Sequence, residues 1–518
     1  MILIALLFLL SIANTSATDL NESSNILSSN FTTGDFCELE KEINNSYETK
    51  ELHLTKDYAF NLENDSQYSD GISINTDGLT IDGQGHAING NHESRIFTIN
   101  SNNVILKNIN ILNGNAKSNG GAILWNGLNG TIINSNIKNS ATPNIGGGVY
   151  FENEATVIKC NIENNSAYFG GGMNFQKPGT VMNSNFKDNY ATLLGGGIYF
   201  VEKGSVTNST FSNNEGGDGG GIYFFKTGHV ENATFIKNIA IGYGGGITSD
   251  NDLIVKNSKF ISNNGMFAGA IYFKDTGTVE KSIFTDNSAK RESGCLYFTR
   301  KGTVENSTFI KNHGLWAGAI LFDREGFVNN STFTSNNATT DGGAIYAQFS
   351  EININNSKFN YNTANSKGNS IYITSQKITL NNLSFMSKSD YDTEVYINNP
   401  NISLNNIIFK KIIETKIVEK YVKPKTKIKT AITAKSKTFK AKSKTKKITI
   451  TLKGNNKLLN KKKVTLKINK KTYTSKTNKG KLIFKIKLTK RGRFTALIKF
   501  GGDNTYKPSQ KTITIKIK

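Results

Sequence analysis

The side chains best suited to chemistry in this chain are its aspartates. Carboxylates on neighbouring elements can cleave a glycosidic bond by acid and base catalysis, or hold Ca²⁺ while a base removes the proton beside a uronate. Eight aspartates recur through the middle of the sequence: Asp188, Asp218, Asp250, Asp252, Asp275, Asp286, Asp323 and Asp341. What they can do depends on the elements that place them.

Those elements come from a short repeat between Gly121 and Tyr372. It reads GGGVYF at 146–151, GGGIYF at 195–200 and 219–224, AGAIYF at 268–273 and GGAIYA at 342–347. The aliphatic residue after the small residues recurs at intervals of 24 to 26 residues. Such a regular period indicates a solenoid or a propeller rather than one globular core.

A second motif in each copy, such as NSTF at 208–211, is followed three residues later by another asparagine. One copy therefore predicts three short strands separated by bends. The period is too short for a propeller blade or a helical repeat, and the apolar residues are β-branched or aromatic. We therefore predict an all-β fold: a right-handed parallel β-helix of about 24 to 25 residues per coil, with coils about 4.8 Å apart.

Stacked coils place equivalent side chains in columns. The Ile or Val of GGGIYF and the Phe of NSTF are expected inside, giving a column of about ten aromatic rings. Val206 and Phe211 are five residues apart, so a bend must separate them, and Asn208 suits it because asparagine tolerates left-handed backbone angles. The glycine runs predict another tight corner where coils approach closely.

The N-terminal part divides by composition. Residues 1–17 are apolar and end in small residues, which predicts a secretory signal peptide and an extracellular or cell-surface protein, with an uncleaved anchor as the alternative. Residues 18–50 read as a loose acidic segment or cap, and 51–413 as the β-helix, with 37–70 as the cover of its open end. Cys160 and Cys295 lie too far apart along the rod to pair, and are expected to fill an asparagine and a glycine position of the repeat.

Composition changes near the C-terminus. Residues 410–518 carry 36 basic and 3 acidic residues, so residues 1–409 are net acidic. A Lys-rich linker is predicted at 414–430. Apolar residues alternate with lysine over 431–518, which predicts a small, basic, Ig-like β-sandwich. No second apolar segment is long enough to span a bilayer.

The repeat resembles that of pectin-lyase-like β-helices, and TIDGQGHAING at 80–90 is similar to their first-coil motif. FIKN with GAIL, and FTSN with GGAIY, resemble repeats of chlamydial polymorphic membrane proteins. FGGDNTYKPSQ at 500–510 looks like the Ig-like modules of bacterial and archaeal adhesins. The combination resembles the adhesin-like surface proteins of methanogenic archaea, which implies a role in cell adhesion.

β-Helical galacturonan hydrolases carry an NTD segment, an Asp-Asp pair, a Gly-His-Gly and an Arg-x-Lys on neighbouring coils. This chain has Asn75-Thr76-Asp77 without the other three. The eight aspartates appear scattered over different faces, and the pair Asp250 and Asp252 is read as a solvated loop. We therefore expect no catalysis, no cofactor and no metal. A pectate-lyase-like lyase or glycoside hydrolase is the alternative, and would require carboxylates of adjacent coils to converge.

Two sets of residues are predicted to bind partners. The tyrosines follow an inward aliphatic residue and should form an exposed column for a glycan or surface protein: Tyr150, Tyr199, Tyr223, Tyr272, Tyr346 and Tyr372. The same column could merely stiffen the rod. The basic module, with Lys461, Lys462 and Lys463, should attract a cell-wall or other anionic polymer. Its cations are almost all lysine, which disfavours specific nucleic-acid recognition.

Overall fold

The computed structural model describes residues 33–349, 351–387, 391–398, 402–413, 416–422, 427–443, 445–503 and 505–518. The predicted signal peptide at 1–17 lies outside the described residues, as does part of the predicted linker.

The chain between 51 and 413 winds as a parallel β-helix, which confirms that prediction. Equivalent residues of successive coils pair in register, as Ile198 does with Ile222 and Phe200 with Phe224. Each regular coil has four short strands, not the predicted three, because the chain also forms a strand between the second asparagine and the glycine corner. We name the four stacks sheets A, B1, B2 and C in the order in which a coil visits them.

Sheet A contains the IYF segments. Its strands are Ile72–Ile74, Phe97–Ile99, Ile123–Trp125, Val149–Phe151, Met173–Phe175, Ile198–Phe200, Ile222–Phe224, Ile247–Ser249, Ile271–Phe273, Leu296–Phe298, Ile320–Phe322, Ile345–Ala347, Ile371–Ile373 and Val395–Ile397.

Sheets B1 and B2 lie on either side of the asparagine bend. Sheet B1 has Glu51–His53, Thr80–Asp82, Ile105–Lys107, Gly130–Ile133, Ala155–Ile158, Gly179–Met182, Gly204–Thr207, Gly228–Glu231, Leu253–Lys256, Gly277–Glu280, Gly302–Glu305, Gly326–Asn329 and Glu351–Asn355. Sheet B2 has Tyr58–Ala59, Ala87–Asn89, Asn110–Leu112, Asn136–Lys138, Asn161–Glu163, Asn185–Lys187, Thr210–Ser212, Thr234–Ile236, Lys259–Ile261, Ile283–Thr285, Thr308–Ile310, Thr332–Thr334 and Lys358–Asn360. The long strands Lys377–Ser387 and Ile402–Ile413 continue both stacks.

Sheet C is the shortest stack. Its strands are Ser166–Phe169, Tyr190–Leu194, Glu215–Asp218, Ile239–Ala240, Asn264–Gly265, Ser288–Ala289, His313–Gly314, Asn337–Ala338 and Thr363–Ala364. The segment that leads from each sheet C strand to the next sheet A strand is called the C–A loop below.

The corners are built as the sequence predicts. Asn208 has a φ of 52°, the left-handed conformation that separates inward Val206 from inward Phe211. The glycine corner has Gly195 at a φ of 67°. Beside it, a Cβ on Gly196 would lie 2.3 Å from two backbone oxygens of neighbouring coils, so only glycine fits that close approach.

Aromatic rings fill the interior in two columns. Ten phenylalanines of the B2 stack lie with ring centroids 4.6 to 5.0 Å apart, as predicted. They are Phe186, Phe211, Phe235, Phe260, Phe284, Phe309, Phe333, Phe359, Phe385 and Phe409. A second column, which the sequence analysis did not predict, comes from the last residue of the IYF segments. It runs through Phe175, Phe200 and Phe224 and is interrupted by Ser249.

A buried column of asparagines stands between sheets B2 and C. Each side-chain amide but the last donates to the side-chain oxygen of the asparagine in the next coil, and all donate to a backbone carbonyl of the preceding coil, which belongs to isoleucine for Asn165 and Asn189 and to phenylalanine for the others. Asn263, for example, donates to Asn287 Oδ1 and Phe235 O, both at 3.0 Å. The column consists of Asn165, Asn189, Asn214, Asn238, Asn263, Asn287, Asn312, Asn336 and Asn362. It satisfies polar groups that the bend would otherwise leave buried and unpaired.

The N-terminal end of the core is covered by the helix Phe36–Asn45, called α1. It buries Phe36, Leu39 and Ile43 against the first coils. A short helix, Leu62–Asp65, called α2, is followed by a 3₁₀ turn, Ser66–Tyr68. The Asp65 carboxylate is fully buried and accepts the N–H groups of Phe36, Cys37 and Asn61, so this acid is structural.

At the C-terminal end, Lys416–Val422 pairs antiparallel with Ile402–Ile413. The helix Tyr391–Glu394, called α3, precedes the last sheet A strand. Glu394 is 1% exposed and accepts a hydrogen bond from Ser370 Oγ at 2.7 Å, while its second carboxyl oxygen lacks a partner. Burial raises the pKa of Glu394.

Because the folded pKa is raised, the unfolded chain loses the Glu394 proton at lower pH than the folded chain does. The stabilisation from neutral Glu394 is therefore complete below its unfolded pKa and is lost as pH rises through the folded pKa. We predict that Glu394→Gln raises the free energy of unfolding at pH 7 by about 1 to 3 kcal/mol. Thermal unfolding at pH 7 and pH 4 tests this, and an equal gain at both pH values would contradict it.

Two small sheets enclose a separate core near the C-terminus. One sheet has Thr430–Thr433, Lys446–Gly454, Lys457–Leu458 and Lys481–Ile486. The other has Lys437–Phe439, Lys463–Ile468, Lys471–Lys476, Gly492–Phe500 and Ser509–Ile517. Strand Lys446–Gly454 alternates buried and exposed side chains, as the lysine pattern predicts. An Ig-like relationship for this unit stays a prediction.

The three cysteines are free, and Cys160 and Cys295 are buried. Cys160 takes a serine position of the repeat, not the predicted asparagine position, because its N–H donates to Ser184 Oγ in the next coil. In the described part of the chain, no helix has the length and hydropathy needed to span a bilayer.

Candidate functional site

The tyrosine column runs along the outer face of sheet A, but the prediction that it is exposed is wrong. Tyr150, Tyr223 and Tyr272 are only 6, 6 and 9% exposed, and Tyr199, Tyr346 and Tyr372 are partly buried. Burial raises the pKa of all six hydroxyls, in Tyr346 to about 12.

The C–A loops cover this column. The ring of Tyr243 lies 4.4 Å from that of Tyr272, and Trp316 lies 5.6 Å from Tyr346, centroid to centroid. A strand alternates its side chains between faces, so the sequence gives the outward direction of each tyrosine correctly. It does not reveal that a loop folds back over the outer face. The tyrosine column therefore lies beneath the C–A loops and does not project from the surface.

One coil departs from the repeat on both faces of its sheet A strand. Where several other coils read Ile-Tyr-Phe, residues 247–249 read Ile-Thr-Ser, followed by Asp250. Thr248 interrupts the tyrosine column and Ser249 the inner phenylalanine column. The Thr248 hydroxyl accepts a hydrogen bond from the N–H of Gly244 at 3.0 Å. Gly244 lies in the C–A loop that leads into the Thr248 strand. A run of polar substitutions within a column of aromatic rings marks this coil as specialised.

Asp250 ends that strand and lies beside two further charged groups. Its carboxylate is 3.3 Å from Lys274 Nζ, and its side chain is only 14% exposed. Asp218 comes from the C–A side of the preceding coil, where its Oδ1 accepts the Tyr243 N–H at 3.0 Å. Burial, aided by the negative charge of Asp250, raises the pKa of Asp218.

A second acidic pair lies further along the same face. Asp323 accepts hydrogen bonds from the Tyr297 hydroxyl and from Gln348 Nε2, both at 2.7 Å. Burial, and then the nearby Asp323, raise the pKa of Glu292. In each pair, one carboxyl group has a raised pKa, and the other has a positive or hydrogen-bonding partner.

Asp218, Asp250 and Asp323 lie along one face, which corrects the expectation that they are scattered over different faces. Asp218 and Asp250 are near each other, and Asp323 lies three coils further along. Asp341 lies further along the same face, near Tyr346 and Tyr372. The other four have local roles or lie apart. Asp188 pairs with Lys187, Asp275 with Arg300, and Asp252 is exposed. Among the described residues, no three metal-ligating side chains are grouped to hold a metal ion.

The sequence analysis missed Glu292 and Lys274. No motif marks Glu292, which lies in a variable C–A loop. The signal in the sequence was the interrupted repeat at 247–250. Lys274 occupies the equivalent position to Asp250 in the next coil, so the two side chains lie side by side.

The predicted lysines of the C-terminal unit differ among themselves. Lys461 and Lys463 are exposed. Lys462 is held 2.6 Å from Asp503 and lies over the Tyr506 ring. Two of the three are therefore available to a polyanion, while Lys462 is engaged within the unit.

The family model for the right handed beta helix region matches residues 196–359, which confirms the predicted hand. No curated protein matches the chain. A mannuronic acid specific polysaccharide family 6 lyase from human gut microbiota is similar at a TM-score of 0.30 and 10% identity, over 71% of this chain and 82% of that one.

That similarity to an enzyme contradicts the expectation that this protein has no catalytic activity, and the expectation is withdrawn. At this TM-score and identity, the similarity does not indicate a substrate or a reaction for this chain.

Proposed function

We propose that the protein is an extracellular polysaccharide-active protein whose substrate lies along the outer face of sheet A. Asp218 would donate a proton to the leaving oxygen of a glycosidic bond. Asp250, whose carboxyl oxygen lies 3.3 Å from Lys274 Nζ, would act as the base that removes a proton from the water attacking the anomeric carbon. The sequence analysis left two enzyme classes as alternatives, a pectate-lyase-like lyase and a glycoside hydrolase. The proposed reaction is that of a glycoside hydrolase.

The observation that carries the proposal is the specialised coil at 247–250 together with the raised pKa of Asp218. Two carboxyl groups in environments that favour different protonation states are what glycoside hydrolysis requires. Exposed aromatic rings of sheet C and the C–A loops, namely Tyr168, Tyr190 and Trp316, give the sugar faces an apolar surface on which to lie.

The test is an assay of reducing-end release from a panel of neutral, amino and acidic polysaccharides, with binding measured in parallel. The wild-type protein should cleave at least one of them, and Asp250→Asn should abolish the cleavage. Asp252→Asn is the matched control, because its carboxylate is exposed two residues away. The proposal fails if no polysaccharide is cleaved, or if both variants keep full activity.

A second proposal concerns the C-terminal unit, which we propose attaches the protein to an anionic polymer of the cell envelope, as an adhesin-like surface protein would be attached. Its net charge of +33 over residues 410–518, with Lys461 and Lys463 exposed, supports this.

We predict that the double variant Lys461→Gln, Lys463→Gln binds an anionic wall polymer several-fold more weakly than the wild type at low ionic strength, and equally weakly at high ionic strength. The cause is lost attraction to the polymer. Cosedimentation of the whole chain with the polymer measures it. Lys462→Gln should instead lower the melting temperature, because it leaves Asp503 unpaired. Salt-independent binding would contradict the prediction.

A further inference from the structure

We infer that the outer face of the five-stranded sheet in the C-terminal unit binds a linear acidic polysaccharide, through a cluster of four lysines and the threonine hydroxyls beside them. The five-stranded sheet is the one that contains Lys463–Ile468 and Gly492–Phe500. The inference rests on the attachment of the C-terminal unit to an anionic polymer that is proposed above, and it names the binding face and the ligand class.

The four lysines come from three neighbouring strands and share one face of the sheet. Lys463 and Lys467 point outward on either side of Thr465, because buried and outward side chains alternate along their strand. Lys476 is directly opposite Lys463 in one neighbouring strand, and Lys499 is directly opposite Thr465 in the other. All four lysines are exposed. Lys463, Lys467, Lys476 and Lys499 are called the lysine cluster below.

The register of the strands sets the spacing of these charges. Side chains directly opposite each other in an antiparallel pair have Cβ atoms about 5 Å apart, and diagonal neighbours are about 7 Å apart. Lys463 and Lys476 form an opposite pair, while Lys499 is diagonal to both Lys463 and Lys467. Like charges at such positions destabilise a sheet. An anionic chain that lies across the cluster removes this repulsion.

No acid of the C-terminal unit offsets the cluster. Asp503 is the one acidic residue of the sequence between 427 and 518. It pairs with Lys462 at 2.6 Å, and that lysine also lies over the Tyr506 ring. Among the residues that the structure describes, none of the four cluster lysines forms an ion pair, either within the unit or with the β-helix. The charge of the cluster is therefore available to a ligand.

Threonines occupy outward positions beside the lysines. Thr472 is opposite Lys467, and Thr474 is opposite Thr465. Thr472 and Thr474 are exposed, and Thr465 is partly exposed. A hydroxyl group both donates and accepts hydrogen bonds, as the hydroxyl groups of a sugar do. The face therefore matches a polymer whose units carry a carboxylate for the lysines and hydroxyl groups for the threonines, which is an acidic polysaccharide.

The same face lacks the groups that other polyanions use. The outward positions of its described strands carry no aromatic side chain, so the bases of a nucleic acid have no ring on which to stack. The one apolar side chain at these positions is Leu497, which is half-buried. The face therefore offers a lipid bilayer no apolar side chain to insert.

The four-stranded sheet of the unit provides a matched control. Its outer face also carries an opposite pair of exposed lysines, Lys447 and Lys485. The next outward pair is Thr449 with Ile483, and Ile483 is 51% exposed. This apolar side chain separates the lysine pair from Lys481, which follows it on the same face. The lysines of the four-stranded sheet are therefore spread out, whereas those of the five-stranded sheet are clustered.

The experiment compares two double variants of the whole chain that remove the same charge from different faces. Lys467→Gln with Lys499→Gln changes the lysine cluster, and Lys447→Gln with Lys485→Gln changes the four-stranded sheet. Calorimetry measures the binding of oligogalacturonate. At low ionic strength we expect the cluster variant to bind about tenfold more weakly than the wild type, and the control variant to stay within about twofold of it. Circular dichroism and thermal unfolding confirm that the variants are folded.

A second comparison tests the ligand class. Polyglutamate of equal length carries carboxylates without sugar hydroxyl groups, and we expect it to bind about fivefold more weakly than oligogalacturonate. Thr472→Val with Thr474→Val should remove this difference by weakening oligogalacturonate alone, because valine keeps the shape and strand preference of threonine. Vesicles of phosphatidylserine and phosphatidylcholine in equal amounts represent a membrane. None of the variants changes the outer face of sheet A, so any binding there is common to all of them.

The inference is overturned if the two double-lysine variants bind oligogalacturonate equally, because the net charge and not the face would then decide. It is also overturned if polyglutamate binds as tightly as oligogalacturonate, or if the vesicles, and not oligogalacturonate, lose binding in the cluster variant. In these cases the proposed attachment stands, provided that the wild type binds an anionic polymer in a salt-dependent manner. If it binds none in that manner, the attachment and the inference fail together.

Discussion

Replacing Asn263 by alanine should lower the free energy of unfolding of the β-helix by about 3 to 5 kcal/mol. The Asn263 side chain makes four hydrogen bonds at 2.9 to 3.0 Å, two as donor and two as acceptor. It has no contact with solvent. Alanine removes the acceptor of the Asn238 N–H and Nδ2 and the donor to Phe235 O, all in the preceding coil, where water cannot replace the lost bonds. Each such group costs about 1 to 3 kcal/mol.

The neighbouring residue provides a matched control. Asn264 is partly buried, and its side chain donates to Ser288 Oγ at 2.7 Å. Asn264→Ala should cost less than about 1 kcal/mol, because water can reach the site. Urea unfolding followed by circular dichroism compares the two variants. Equal losses would show that the buried column is not a main source of stability.

Replacing Asp218 by asparagine should reduce polysaccharide cleavage by about 10² to 10⁴-fold, the usual contribution of a general acid. Asparagine keeps an oxygen that can accept the Tyr243 N–H, so the loop geometry is preserved. What is lost is the proton that Asp218 would give to the leaving group. Rates with the best substrate of the panel measure the effect, and binding of that substrate should change little.

The pH dependence of the wild type follows from the same residue. Burial and Asp250 raise the pKa of Asp218, so the acid keeps its proton to higher pH than an exposed aspartate. Activity should therefore fall as pH rises through that raised pKa, because the deprotonated form cannot donate. Asp252→Asn should keep both the rate and the pH profile. An unchanged alkaline limb in Asp218→Asn would assign the proton to another group.

The repeat makes the fold readable from the sequence. Its period sets one coil, and each column position then follows from side-chain alternation and from the left-handed corners. Phe211 and Asn208 could be placed for that reason. The buried asparagines were visible as a fixed spacing after each phenylalanine, but the spacing does not state that the side chain turns inward and bonds to the next coil.

The outer face of sheet A was harder to predict from the sequence, because half of it is formed by C–A loops that carry no repeat motif. Tyr272 is buried by Tyr243, whose position follows from the path of a C–A loop and not from strand alternation. Glu292 reaches the face by the same kind of loop, and Asp218 by the last residue of a sheet C strand. Asp250 directly follows a regular sheet A strand, and there the broken repeat was the signal of a specialised coil.

The central claim is that the outer face of sheet A holds the polysaccharide at Asp218 and Asp250. The most direct test is an experimental structure of the Asp218→Asn variant with a bound oligosaccharide of its best substrate. The account predicts sugar rings on the outer face of sheet A, with a glycosidic oxygen beside residue 218 and Asp250 next to the same sugar. An oligomer bound instead on sheet B1, on sheet B2 or on the C-terminal unit would contradict it.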